Sequence, residues 1–181
     1  MEKIQPAVIS CGFCEHASKR SDVNMAELVY EAVDDCITKA DSIEWKDIDC
    51  VINGNMPAFE GANMPELWMT DHIAAKNKPL LRVTTGGTTG GSVFISAYYA
   101  VASGLYDMVL AIAFEQQSCG DTTVGLSSVA LGEVSIFPEL GYDIERLRRN
   151  MGAGAAIGVA SYQAMNYMKR SNATEEDLAR V

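Results

Sequence analysis

From Val93 to Ser103 the chain is apolar on nearly every side, with small residues at Ala97, Ala100 and Ala102. A helix with one apolar stripe can lie on a surface, but a helix apolar all round belongs in the interior. Whatever this chain folds into must surround that segment, so a third layer beyond it is expected, contributed by a missing half or by another domain. What precedes it sharpens the constraint. Leu80–Thr84 reads as a strand, and Thr85, Gly86, Gly87, Thr88, Thr89, Gly90, Gly91 and Ser92 form a glycine-rich turn between the two. Gly104 stands where a helix C′ residue belongs.

The rest of the chain repeats this alternation. Pro6–Cys11 is short, apolar and ended by Gly12, and predicts a buried strand. Asn24 with Glu27 three residues on is a capping box. It opens a helix whose apolar residues Met25, Leu28, Val29, Ala32, Val33, Cys36, Ile37 and Ala40 share one face. Glu31, Asp34 and Asp35 fall on the opposite face and read as a solvated surface. Cys50–Ile52 is a second strand, followed by loop from Asn53 to Asn63. Pro65 suits a first helical turn, predicting a helix to about Lys76 with Leu67, Trp68 and Ile73 inward. Asp107–Phe114 reads as a long buried strand. Residues 115–150 loosen into an inserted loop region, with a short helix near Ile144 to Arg149. Gly152–Met168 is again helical, and Thr174 with Asp177 caps a last helix. Short apolar strands alternating with helices give a mainly parallel, mixed sheet with helices on both faces, in the order βαβαβαβ.

Composition excludes several classes of function. With 48% hydrophobic and 21% charged residues, the 181-residue chain is globular and long enough to bury a core. A net charge of −10 makes it a poor binder of phosphate backbones, so nucleic acid is not an expected partner. No apolar run is long enough for a membrane span, and the N-terminus lacks the apolar core of a secretory signal, so a cytosolic protein is expected. The five cysteines, Cys11, Cys14, Cys36, Cys50 and Cys119, are an odd, scattered set that fits reduced thiols. Cys11 and Cys14 with His16 lack a second ligand pair, so no metal is expected, and Cys11 reads as buried. His16 and His72 read as surface or packing residues.

The glycine-rich turn is the natural place for chemistry, because a helix N-terminus offers unpaired N–H groups and the positive end of a dipole. It is not a phosphate loop, since no Lys-Ser or Lys-Thr follows at the required spacing, and it lacks the dinucleotide fingerprint. A tight turn needed for packing alone is the plain alternative.

The chain resembles the thiolase family, above all its archaeal and sterol-carrier-protein-associated branch, over essentially all 181 residues. The resemblance is carried by Met25–Leu28, by Asp47–Asp49, by Arg82-Val83 entering the turn and by Gly90-Gly91 leaving it. Ala100–Leu110 with Glu115 following is its strongest stretch, and Tyr167-Met168 with Thr174–Leu178 closes it. It implies the N-terminal half of a thiolase-like α/β fold in a single domain over 1–181, with the C-terminal half absent and the chain a fragment. It also implies acyl-CoA as substrate, no cofactor, and a homodimer or hetero-oligomer formed through a sheet edge such as Leu80–Thr84. In that family a cysteine nucleophile occupies the turn. Setting Gly90-Gly91 on the family's glycines puts Gly87 at the nucleophile position, with Thr88 and Thr89 after it and Gly86, Gly90 and Gly91 lining the substrate side.

A thiolate carries the acyl group in such enzymes, and glycine cannot. The hydroxyls of Thr88, Thr89 and Ser92, or Cys119 swinging in, are substitutes that the residues leave open. The resemblance then implies non-covalent, aldolase-type chemistry on the C–C bonds of CoA thioesters, in company with a small OB-fold, zinc-ribbon partner. A conventional acetyl-CoA acetyltransferase is a second possibility. The alternative is a non-catalytic thiolase-like subunit that pairs with an active chain.

Overall fold

The computed structural model describes residues 4–56, 59–120 and 155–180. The chain divides into two compact units, Met1–Gly120 and Asp121–Val181. The first contains a sheet of three parallel strands, β1 (Cys50–Gly54), β2 (Leu80–Arg82) and β3 (Val109–Ala113), in the order β2–β1–β3. Parallel neighbours need crossovers, and helices supply them: α2 (Pro65–Trp68) lies between β1 and β2, and α3 (Thr89–Ala102) between β2 and β3. Helix α1 (Met25–Lys39) precedes β1.

All five residues of β1 are buried, as the middle strand of a doubly covered sheet should be. Alternate side chains feed two separate cores. Val51 joins Val29 and Val33 of α1, Met69, Ile73, Leu110 and Ile112 on one face. Cys50 and Ile52 join Val93, with Ala97 and Ala100 of α3, on the other. Burial pushes the Cys50 thiol up, which fits a packing residue rather than a reactive thiol.

The capping box at Asn24 forms as expected. Its side chain accepts from the Ala26 and Glu27 N–H groups, at 2.9 and 3.0 Å, while Glu27 takes the Asn24 N–H at 2.8 Å. Gly104 adopts the left-handed conformation that ends α3, at φ +73°. In the second unit, α4 (Ala155–Ser171) and α5 (Glu175–Ala179) are helical, and Thr174 and Asp177 make the expected capping box. No helix among the described residues is long and apolar enough to cross a membrane.

Five expectations change. β3 is shorter than Asp107–Phe114 and only alternately buried, with Leu110 and Ile112 inward and Ala111 and Ala113 exposed, because it lies at an edge of the three-stranded sheet. Pro6–Cys11 is not a strand and not buried: Val8 and Ile9 are exposed. The segment runs against α1 rather than in the sheet: the Ser10 hydroxyl donates to the Cys36 carbonyl at 2.8 Å, and just beyond it the Phe13 N–H donates to Asp35 at 3.0 Å. Cys11 is exposed. The acidic face of α1 is not simply solvated, because Glu31 holds the Arg20 guanidinium at 2.7 Å and ties the preceding loop to the helix. Finally, α2 stops at Trp68. Leu67 and Trp68 are exposed, and only Ile73 of the three predicted residues turns inward. Left-handed backbone at Ala74 bars a helix that runs on to Lys76, and Asn77 is left-handed just beyond. The short helix near Ile144–Arg149, the start of the helix at Gly152 and most of the loop 115–150 lie outside the described residues.

Candidate active site

In open parallel sheets, ligands bind beyond the carboxyl ends of the strands. Here those ends bring together Gly54, Arg82 and Ala113, with the glycine-rich turn across them. The turn begins as a single 3-10 segment, Gly86–Thr88, and continues directly into α3 at Thr89. Gly86 has φ +63°, a conformation that strongly favours glycine. Helix α3 seats so closely on β1 that Gly54 admits no side chain. A Cβ there would stand 2.7 Å from Thr89 Cγ2 and 2.8 Å from the Val83 carbonyl, and would collide with Val93.

Gly87 differs from both. Its backbone is not left-handed, it is exposed, and a Cβ built on it meets no atom within 4 Å. Among the described residues neither torsion nor packing requires glycine at this position. The tight-turn explanation therefore holds for Gly86 and fails for Gly87. Gly91 is equally open, and a Cβ built on Gly90 would lie 3.8 Å from the Ala113 Cβ.

The hydroxyls beside Gly87 are occupied by the turn itself. Thr88 donates to the Thr85 carbonyl at 2.9 Å. Thr89 is buried, donates to the Gly86 carbonyl at 2.7 Å and accepts the Thr85 N–H at 3.0 Å. Thr85 and Ser92 share a bond of 2.8 Å. None of these hydroxyls has a basic partner among the described residues, as an activated nucleophile would need. Cys119 is exposed in a short 3-10 segment after β3. His16 is exposed, and His72 packs edge-on against Tyr30 at 6.1 Å, away from the turn on the α1 side of the sheet.

Sequence reasoning missed a second set of polar residues at the same end of the sheet. Asn53 and Asn55 are fully buried, and their side-chain amides have no hydrogen-bond partner among the described residues. Glu115, just past β3, accepts the Met56 N–H, and Glu60 accepts the Gln116 N–H at 2.7 Å. Burial pushes the Glu115 carboxyl up to about 7; the Met56 N–H opposes this, and the negative charge of Glu60 adds to it. Gln116 is buried and donates to the Arg20 and Val23 carbonyls at 3.2 and 3.0 Å. The available signal was position: polar residues directly after apolar strands stand where α/β sheets place their sites.

Residues 8–179 match the family model described as "Thiolase, N-terminal domain". No curated protein matches the chain. A match over nearly the whole chain, on a parallel sheet carrying a glycine-rich turn into a central helix, places this protein in the thiolase family, to whose N-terminal domain it corresponds.

Proposed function

We propose that the protein is a thiolase-like enzyme of acyl-CoA thioesters that works on a substrate C–C bond without forming an acyl-enzyme. The supporting observation is Gly87, an exposed position with open space before it, at the turn where the family resemblance expects a nucleophilic cysteine. Retro-aldol cleavage of a β-hydroxyacyl-CoA needs a base for the hydroxyl and hydrogen-bond donors for the enolate oxygen, and no covalent thioester. The first N–H groups of α3 are suited to the second task. A glycine at the pivot leaves room for the scissile bond. The base and the remaining groups are expected on a C-terminal half of the fold, and a small OB-fold, zinc-ribbon protein is the expected partner.

The test is to purify the protein as its own gene encodes it, together with that partner, and add a β-hydroxyacyl-CoA. The expected result is a free aldehyde or ketone and a shortened acyl-CoA. A thiolase-like subunit without catalytic function would give no product, alone or with its partner, and thiolysis requiring free CoA would identify conventional acyl transfer.

A further inference from the structure

Of the chain's asparagines, only Asn53 is followed by glycine. That pairing is open to a reaction of the chain with itself. The backbone nitrogen of the glycine attacks the side-chain carbonyl carbon of the asparagine, a C–N bond forms, and ammonia leaves. The five-membered imide then takes up one water and opens in one of two ways. One opening gives an ordinary aspartyl residue. The other routes the backbone through the side chain and so adds one carbon to it. Glycine favours the attack because it has no side chain in the way and its backbone turns freely. The only other reactant is water.

In the folded chain this attack is blocked. Asn53 and Gly54 end β1, the middle strand, where Asn53 is paired with Arg82 on one side and Ile112 on the other, and Gly54 with Ala113. The Asn53 carbonyl accepts the Val83 N–H at 2.8 Å, and the Gly54 carbonyl accepts the Phe114 N–H at 3.1 Å. Closing the imide ring turns the backbone between the two residues out of the extended form that these bonds hold. Both residues are also buried, Asn53 completely, which keeps out the water that the reaction needs. The Asn53 carboxamide has no hydrogen-bond partner among the described residues, so strand pairing and burial are what restrain it.

We propose that Asn53-Gly54 is a deamidation site gated by the fold, shut in the native chain and open in the unfolded one. Chemical change of an unfolded chain makes unfolding irreversible, and here it strikes the strand on which α3 rests. An extra backbone carbon at position 53 moves Gly54 out of register with Ala113. It also pushes the chain towards α3, where a Cβ on Gly54 would already stand 2.7 Å from Thr89 Cγ2. The aspartyl product instead sets a carboxylate in the same buried place, beside an Arg82 that Asn63 and Glu66 already engage. Either product costs α3, and the glycine-rich turn that leads into it, their seat on β1.

The test incubates the protein as its own gene encodes it, at neutral pH, over a series of guanidinium chloride concentrations. Mass spectrometry of the tryptic peptide 47–76 follows conversion at Asn53, and circular dichroism gives the unfolded fraction. The rate is expected to track the unfolded fraction. In buffer it should be at least about a hundredfold lower than in full denaturant, because a stable fold keeps the unfolded population small. Asn55 and Asn63, in the same peptide but followed by methionine, should convert far more slowly in denaturant. Returned to buffer, converted chains should fail to regain the native spectrum that unconverted chains from the same sample recover.

Equal rates with and without denaturant would overturn the gate. So would a rate in buffer far above the unfolded fraction, which would mean that β1 opens locally. Converted chains that refold as well as unconverted ones would overturn the claim that the change is one-way for the fold.

Discussion

Helices α1 and α3 have nearly the same length and cover opposite faces of the same sheet, yet they are built by different rules. Helix α1 starts from a side-chain cap, buries Leu28, Val29 and Val33, and turns charged residues outward. Helix α3 starts from a glycine-rich turn with no side-chain cap and buries only Thr89 and Val93 fully. Phe94 and Tyr99, 56% and 66% exposed, project from its far side. The first pattern makes a helix stable where it stands. The second gives up capping and coverage for an approachable N-terminus. The difference separates the part of the molecule that maintains the fold from the part that carries the candidate site.

Core truncation should show the contrast most strongly. Leu28→Ala on α1 should cost about 2–5 kcal/mol in chemical denaturation, the usual range for a buried leucine. In the 181-residue chain by itself, Phe94→Ser on the exposed face of α3 should stay within about 0.5 kcal/mol. A loss of several kcal/mol from Phe94→Ser would mean that this face is covered in solution, and would erase the distinction. On the inner side of α3 the tolerance reverses. Gly54→Ala forces a methyl between the strand and Thr89, and should cost about 1–3 kcal/mol.

The caps give a smaller contrast. Asn24→Ala removes both bonds to the first turn of α1 and should cost about 1 kcal/mol. Thr88→Ala should cost no more than about 0.5 kcal/mol, because its hydroxyl bonds only within the turn. Within that turn, Gly86→Ala meets a left-handed backbone and should destabilise by about 1–2 kcal/mol. Gly87→Ala meets none and should stabilise slightly, by less than about 1 kcal/mol. Thermal or urea melts of the two variants would separate a glycine the fold requires from one it does not.

Features set by near neighbours in the chain were legible in the sequence. Asn24 with Glu27, Thr174 with Asp177, and Gly104 behave as their local chemistry dictates. The central strand was legible because Cys50–Ile52 is apolar without alternation, as burial on both faces demands. Pro6–Cys11 misled because the same apolar pattern gives no information about whether a sheet edge is within reach, and the segment and the residue after it are tied to α1 instead. Leu67 and Trp68 misled because their apolar character outweighed the turn signals that end α2. Of the candidate site, the glycine-rich turn leading into α3 could be located from spacing. The Glu60 and Glu115 junction could not, because Met56 and Glu115 are 59 residues apart and only the pairing of β1 with β3 joins them. Whether Gly87 is dispensable to the fold also needed coordinates, because sequence does not distinguish a glycine held by its torsion from one facing open space.

The most direct test is the intact mass of the protein after incubation with an acyl-CoA, measured beside the Gly87→Cys variant. The wild-type mass should not change, while the variant, with a thiol placed in the open space at the N-terminus of α3, should gain one acyl group. An acyl group found on the wild-type protein would contradict non-covalent chemistry and return the site to conventional thiolase catalysis through some other side chain.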